Sequence, residues 1–221
     1  MEATKRKKRT SAEVFIEKRR HQVSKVLVMR TCNADMTSYG GFVWPESGAV
    51  SAPDWSPEPQ CGHGLHGLLW GEGDVSLLDW SKSAKWLVCS VDVESIVEIG
   101  DKVKFPSCEV VFCGDGFEAS KYVVANGGQG RRVVKGTATA GFRGTATAGF
   151  RGTATAGDEG TATAGFRGTA KAGFRGNIAI MWNGRCYKVS IATIKDEYGD
   201  GQLEPNVKYK LDDSGNFSEA E

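Results

Sequence analysis

The sequence lacks any apolar run long enough to cross a membrane. Among its 221 residues, no stretch of about 18 apolar residues occurs, so no segment is predicted to span a bilayer as a helix. The N-terminus is basic, but no apolar segment follows it, so we predict no secretory signal peptide. We therefore expect an intracellular, cytoplasmic protein. Its six cysteines should then be buried thiols or metal ligands rather than disulfides.

The sequence also lacks the short motifs of common catalytic sites. It contains no Ser-His-Asp order, no Gly-x-Ser-x-Gly nucleophile elbow and no phosphate-binding loop. Only three histidines are present. These absences favour a non-enzymatic protein without a cofactor; an enzyme and a zinc site, both centred on Cys61–His66, are the alternatives considered below.

Charge is distributed unevenly although the formal net charge is only +1. Residues 1–25 hold nine lysines and arginines against three glutamates. Five of these basic residues are consecutive: Lys5, Arg6, Lys7, Lys8 and Arg9. A basic segment on a mildly acidic body predicts an anionic partner such as nucleic acid. A solvated tail is the alternative.

A repeat dominates the second half of the chain. Residues 136–175 read GTATAGFR, GTATAGFR, GTATAGDE, GTATAGFR and GTAKAGFR, five octapeptides with a strict period of eight. In Thr-Ala-Thr-Ala, alternate residues share one face, which is typical of a short strand. Gly-Phe-Arg-Gly is then the turn, with glycine permitting a tight corner. One octad buries nothing alone, so the repeat predicts stacked octads in a short β-solenoid.

Alanine is the expected inward residue of this solenoid, because buried threonine hydroxyls would need hydrogen-bonding partners. The reverse orientation is the alternative. With two octads in each 16-residue turn and about 4.8 Å between turns, the stack is about 12 Å tall. Arg143, Glu159 and Arg175 then share one column, and Phe150 stacks on Phe166. The predicted interaction surface consists of the outward threonines Thr137, Thr139, Thr145, Thr147, Thr153, Thr155, Thr161 and Thr163.

The remaining segments predict a mainly β protein. Residues 1–25 are a basic tail with a marginal helix from about residue 10, and residues 26–127 are a compact α+β domain with strands over 25–32, 84–91 and 102–113. Residues 128–183 are the octapeptide β-solenoid, and residues 184–221 are a C-terminal β cap. The predicted fold is therefore an α+β N-terminal domain, a short β-solenoid and a β cap, with the N-terminal domain closing the other end of the solenoid.

Cys61, His63 and His66 are the best candidates for site chemistry. Three soft or borderline ligands within six residues predict a zinc site or another transition-metal site. The alternative is a glycine-rich turn in which His66 is hydrogen-bonded within the core. His66 is also a candidate general acid or base.

The octad is similar to that of bacterial ice-nucleation proteins, whose repeats run Ala-Gly-Tyr-Gly-Ser-Thr-x-Thr. Residues 140–147 (AGFRGTAT) follow it in register, with Phe for Tyr and Gly for Ser, and residues 156–163 (AGDEGTAT) resemble the acidic octad of that family. The resemblance implies 16-residue turns with outward Thr-x-Thr rows that order water. The departure is length, since nucleators carry dozens of turns.

The whole chain also resembles an uncharacterised family common in phages and bacteria. Cys61, Gly64, Leu65 and His66, together with residues 204–209 (EPNVKY), carry this likeness. It implies a small N-terminal domain, octads and a short β tail, and it leaves open whether a phage or a bacterium encodes the chain; a phage-encoded chain would work in its bacterial host. It implies no particular activity.

We predict a non-enzymatic structural or interaction module that presents a threonine-rich solenoid surface to an unknown protein partner. The chain could instead bind a second copy of itself through the exposed ends of the solenoid. One alternative is a small ligand- or metal-binding domain, or an enzyme, centred on Cys61–His66. The other alternative is an ice-binding protein that acts through the Thr-x-Thr rows.

Overall fold

The computed structural model describes residues 25–183 and 188–221. Strands predominate there and form three sheets of seven, five and four strands. The prediction of a mainly β protein is confirmed. The helix predicted from about residue 10 lies outside the described residues.

The first sheet is built from residues before the repeat. Its strands are β1 Lys25–Cys32, β2 Gly48–Ser51, β3 Leu65–Leu69, β4 Lys85–Asp92, β5 Val97–Ile99, β6 Lys102–Phe105 and β7 Ser107–Gly114. Single 3-10 turns occur at Tyr39–Gly41, Val75–Leu77 and Val93–Ser95. The spatial order is β2-β7-β4-β1-β3-β6-β5, and all neighbouring strands are antiparallel.

Both faces of this sheet are covered, which is why its central strands are nearly continuous apolar runs. Val28 and Leu87 lie in the core on one face, under the buried ring of Trp44. Their chain neighbours Met29 and Val88 lie in the core on the other face. Side chains alternate between the two cores because successive residues of a strand point to opposite faces.

A short helix, α1 (Gly116–Val123), packs on the second of these faces. Asp115 caps it, since its carboxylate accepts hydrogen bonds from the backbone nitrogens of Phe117 (2.8 Å) and Glu118 (3.1 Å). Ala119 and Val123 face the sheet and are fully buried. A π-type turn, Val124–Gly128, ends the helix.

The octads form the other two sheets, and we call residues 136–183 the repeat stack. Its strands are β8 Thr137–Thr139, β9 Thr145–Ala148, β10 Thr153–Thr155, β11 Thr161–Ala164, β12 Thr169–Lys171 and β13 Asn177–Asn183. Strands β8, β10 and β12 pair in parallel, and so do β9, β11 and β13. Ala154 pairs with Ala138 and Ala170, which confirms the predicted 16-residue turn with two columns of strands.

Alanine occupies the interior of the repeat stack, as predicted. Ala154, Ala162 and Ala170 are completely buried, and the alanines of the two sheets form one continuous core. A methyl side chain fills the narrow space between the sheets, whereas a threonine there would bury a hydroxyl that needs a partner.

The corners of the repeat stack differ from the expectation. Left-handed backbone is adopted by the last residue of each octad, for example Arg143 (φ 56°) and Glu159 (φ 55°), and not by an octad glycine. Arg143, Arg151 and Glu159 donate their backbone N–H groups to the turn above, as Arg143 does to the oxygen of Asp158 (2.9 Å). This inter-turn bond offsets the cost of the left-handed conformation, which is roughly 1–2 kcal/mol.

Octad glycines are needed for space instead. A Cβ added to Gly165 would lie 2.6 Å from the backbone carbon of Gly149 in the turn below, and one added to Gly152 would lie 2.7 Å from the oxygen of Gly136. The turns therefore stack with backbone against backbone. Glycine was predicted here because it permits tight bends. The structure requires it for a different reason, which is that it has no side chain at these contacts.

Antiparallel strands close the C-terminal end of the stack. They are β14 Lys188–Thr193, β15 Tyr209–Leu211 and β16 Phe217–Glu219. β14 pairs with β13, β15 pairs with β12, and β16 pairs with β15. Larger apolar side chains replace alanine here, among them Ile178, Ile180 and Tyr209, which are all buried. All three strands lie within residues 184–221, the segment predicted as a C-terminal β cap.

The seven-stranded sheet and α1 contact the first turns of the repeat stack. Val133 and Val134 precede the first octad and are buried in the core beneath α1. The ring of Phe150 lies 4.9 Å from that of Trp80. The guanidinium of Arg151 lies 4.6 Å from the centroid of the same Trp80 ring.

Two glycines at the same octad position test the stacking. We expect Gly165→Ala to lower the free energy of unfolding by roughly 1–3 kcal/mol, because the new methyl meets backbone of the turn below. Gly141→Ala is the matched control, since a Cβ there has nothing within 4 Å; it should leave stability unchanged or raise it by about 0.5 kcal/mol. Urea unfolding measures both, and equal losses in the two variants would contradict the backbone contact.

Candidate functional site

The outward threonines form two faces, one on each sheet of the repeat stack. The first threonine face carries the rows Thr137-Thr153-Thr169 and Thr139-Thr155-Lys171. The second threonine face carries the rows Thr145-Thr161-Asn177 and Thr147-Thr163-Ala179. Every threonine of the predicted interaction surface lies in one of these rows, and each is exposed or half-buried.

Backbone pairing sets a regular spacing on both faces. Neighbours in a row lie about 4.8 Å apart, and the two rows of a face are about 6.7 Å apart along the strands. The Oγ1 atoms of Thr153 and Thr169 are 3.1 Å apart and share a hydrogen bond. Because the alanines behind are buried and the ladder continues across the sheet, hydroxyls and methyls are held in a rigid grid. A ligand that contacts this grid therefore meets side chains that are already ordered, so little conformational entropy of these side chains is lost on binding.

Aromatic and charged residues occupy the corners between the two faces. Phe150 stacks on Phe166 with 5.9 Å between ring centroids, as predicted. Glu159 accepts a hydrogen bond from Nε of Arg143 at 2.7 Å, which is one half of the predicted Arg-Glu-Arg column. Arg175 lies in the same column, since Glu159 donates its backbone N–H to the oxygen of Phe174, but the side chain of Arg175 pairs with Glu197 of the segment that crosses above the last octad.

The segment around Cys61 makes a second cluster of polar groups, beside β3 and β6. The exposed thiol of Cys61 accepts a hydrogen bond from Nζ of Lys102 at 3.0 Å. This bond, more than any other interaction, lowers the pKa of Cys61 below its usual value. A positive neighbour stabilises the thiolate, so Cys61 is the reactive type of cysteine rather than the inert, buried type.

The two histidines of this segment face different surroundings. Nδ1 of His63 lies 3.3 Å from Oδ2 of Asp54 at the surface. His66 lies on β3, and its buried Nε2 has no hydrogen-bond partner among the described residues. Burial lowers the pKa of His66, and the positive charges of Lys102, Arg30 and Lys104 lower it further. The imidazole is therefore neutral at neutral pH.

These contacts do not assemble the predicted metal site. Cys61, His63 and His66 engage three different neighbours, and in residues 25–183 and 188–221 no three His, Cys, Asp or Glu side chains are grouped to hold a metal ion. Lys102 and Lys104 supply a physical reason, because their positive charges oppose a bound cation. The alternative, a glycine-rich turn with a hydrogen-bonded His66, agrees with the structure in part, because the imidazole hydrogen-bonds to the backbone of Gly64 while Nε2 has no partner among the described residues.

Lys104 was missed by the sequence analysis. It is completely buried, donates a hydrogen bond from Nζ to the backbone oxygen of Gln60 (3.0 Å), and lies 5.6 Å from the ring of Trp55. The signal was the alternation in residues 102–105 (KVKF): Val103 and Phe105 face one core, so Lys102 and Lys104 must face the opposite side. That side carries His66, which pairs with Lys104 across the sheet.

The other predicted sites have simpler outcomes. The basic run Lys5, Arg6, Lys7, Lys8 and Arg9 lies outside the described residues. Cys32, Cys89 and Cys108 are buried free thiols, in keeping with the prediction for the cysteines. Within the described part of the chain, no helix has the length and hydropathy needed to cross a membrane.

Comparison with known proteins identifies two similarities. Residues 26–123 match the model of a family described as a domain of unknown function, DUF7666. About half of the chain is similar to ice nucleation proteins, with 37% identity over 106 residues to that of Xanthomonas campestris pv. translucens, 40% over 105 residues to one from Pseudomonas syringae, and 41% over 104 residues to one from Pseudomonas fluorescens. No solved structure matches the chain.

These findings confirm the expected resemblance to an uncharacterised family with ice-nucleation-like repeats. The matches cover 47%, 47% and 46% of this chain but only 7%, 9% and 9% of the three relatives. The chain thus spans under a tenth of the length of the ice nucleation proteins that it matches. The similarity supports a repeat-based ice-binding or structural role.

The expectation of an intracellular location is wrong. The repeats match ice nucleation proteins, which are anchored in the outer membrane and lie on the bacterial surface. The expectation depended on a missing apolar leader, and the similarity of the repeats overturns it.

The lowered pKa of Cys61 gives a test of the Lys102 contact. We expect alkylation of Cys61 by iodoacetamide to set in at a lower pH than for an ordinary thiol, because the thiolate is the reacting form. Lys102→Met should raise the apparent pKa and slow alkylation at pH 7 by roughly two- to tenfold. Mass spectrometry of the Cys61 peptide across a pH series measures this, with Lys82→Met as the control. An unchanged pH profile in Lys102→Met would exclude the contact.

Proposed function

We propose that this chain is a non-enzymatic module that binds ice, or the water ordered at an ice surface, through the threonines of its repeat stack. The observation that carries the proposal is the outward orientation of these threonines on a regular grid. Ligand recognition then requires no catalytic group. The contacts of Cys61 and His66 belong to the fold of the N-terminal part under this proposal.

The spacing of the grid supports water as the ligand. Threonine offers a hydroxyl that donates and accepts hydrogen bonds, beside a methyl that does neither. Hydroxyls repeated at about 4.8 Å and 6.7 Å fix the positions of bound water molecules. Methyls between them force neighbouring waters to bond to one another, which favours an ordered layer.

The ice nucleation proteins support the same class of ligand, because their repeats are similar to these octads. Length separates the two activities. Five octads make about two and a half turns, or about 12 Å at the spacing of paired strands. A surface of this size covers too few water molecules to start a crystal, but it is large enough to adhere to one that exists. We therefore propose binding to ice without nucleation.

A protein partner at the first edge of the stack is the second candidate. Ala138 and Ala140 are only half-buried, whereas the equivalent alanines of later octads are buried. Phe142 of the same octad is 64% exposed. An edge strand with apolar neighbours is a template for strand pairing, so this edge suits an interaction module that a partner or second copy completes.

Ice growth assays on the purified full chain test the main proposal. We expect thermal hysteresis and inhibition of ice recrystallisation, while droplets containing the protein freeze at the temperature of buffer alone. Replacing one central threonine on each face, in the double variant Thr153→Tyr/Thr161→Tyr, should abolish both effects because the bulky rings lift the ice away from the grid. Phe142→Ala is the control that leaves the grid intact. Ice that grows at the same rate with and without the wild-type chain would contradict the proposal.

A further inference from the structure

The two threonine faces differ in how they continue onto the C-terminal cap. On the second threonine face, the antiparallel strand β14 pairs in register with β13, so that Asn177 lies opposite Thr193 and Ala179 lies opposite Ile191. The intervening Ile178 and Ala192 point into the core and are buried. Thr193 and Ile191 therefore point outwards, on the same side as the threonines.

This pairing lengthens both rows by one strand that is not a repeat. The polar row becomes Thr145-Thr161-Asn177-Thr193, and the second row becomes Thr147-Thr163-Ala179-Ile191. Ile191 is 68% exposed, and Val189, which lies opposite Met181 on this face, is 47% exposed. All of these side chains are uncharged, and the second row becomes progressively more apolar towards β14.

The first threonine face continues differently. Its second row already contains Lys171 in place of a threonine. Beyond β12 the sheet continues into β15, where Tyr209 pairs with Ala170 and is buried in the core. The residues on either side of Tyr209, Lys208 and Lys210, therefore point outwards and are exposed. Three ammonium groups thus occupy this end of the first face.

Charge decides between the faces as surfaces for ice. A lysine ammonium is a strongly hydrated point charge on a flexible stem, so it holds its own water shell and moves over the neighbouring threonines. The second threonine face instead combines a row of hydrogen-bonding groups with a parallel row of methyl and aliphatic groups at fixed spacing. The guanidinium of Arg132 lies 3.1 Å from Sδ of Met181, at the edge of this face and outside the two rows. Its four strands span about 14 Å from β9 to β14, with no ammonium in either row.

We propose that the second threonine face, extended by β14, is the surface that meets ice, and that the first threonine face remains in liquid water. The inference rests on the proposed function and specifies the site. It assigns a binding role to Ile191 and Thr193, which lie outside the octads. It also accounts for exposed aliphatic side chains on β14 that align with the methyl row.

A matched pair of lysine substitutions tests the assignment. Thr163→Lys and Thr155→Lys change the same octad position, at the centre of the second row of the second and the first face respectively. Lys171 occupies that octad position naturally, so the stack accommodates the side chain. We expect Thr163→Lys to raise the concentration needed to inhibit ice recrystallisation by roughly tenfold, as for a charge at the centre of a binding surface. Thr155→Lys should change it less than twofold.

Ile191→Lys tests the contribution of β14 and should also weaken inhibition several-fold. Thermal melts of all three variants check that the fold is retained. Thr163→Val, which keeps the methyl group and replaces the hydroxyl by a second methyl, gives a structurally mild test of the same position. Equal losses in Thr155→Lys and Thr163→Lys, or a loss confined to Thr155→Lys, would overturn the choice of face while leaving ice binding intact. A wild-type chain that does not affect ice growth would overturn the proposed function and this inference together.

Discussion

The close stacking of one 16-residue turn on the next is the constraint on which the whole repeat stack depends. Parallel, in-register pairing requires backbone contact at the corners, and that contact leaves no room for a Cβ at Gly152 or Gly165. The narrow interior then admits little more than alanine. Each octad thus repeats the same small residues because every turn must meet the same two neighbours.

An alanine core stabilises weakly, and this explains the size of the residues at its two ends. Burial contributes about 25 cal/mol per Å² of apolar surface, and a methyl group has little surface to bury. At the C-terminal end, Ile178, Ile180 and Tyr209 fill the wider space under the antiparallel cap strands. At the other end, Phe150 reaches Trp80 and connects the stack to the core of the seven-stranded sheet. A stack of two and a half turns relies on these ends, since a solenoid exposes its core wherever it stops.

The same alternation that places alanine inside places threonine outside, so the proposed binding surface is a direct consequence of the packing. The ladder fixes the threonines, whereas Lys171 of the last octad and the neighbouring residues of the cap make the two faces chemically different. The cluster around Cys61 follows another logic. Lys102 and Lys104 lie beside it, and their positive charges stabilise a thiolate and oppose a metal ion. Cys61, His63 and His66 are therefore close in sequence but do not form a metal site together.

The sequence by itself determined the octad strands, their 16-residue register and the inward alanines. These features depend only on the alternation of side chains along each strand and on the repeat of the octapeptide every eight residues. It also determined β1 and β4, which are long apolar runs, and β6 and β7, which are the two parts of one interrupted apolar run. Tertiary structure decided what local pattern does not encode. The pairing of β3 with β6 placed Lys104 beside His66, and the segment above the last octad gave Arg175 a partner in Glu197. The pairing of β14 with β13 aligned Ile191 with a row of threonines, because strand partners distant in the chain are chosen by the packing of the whole sheet and not by the residues next to them.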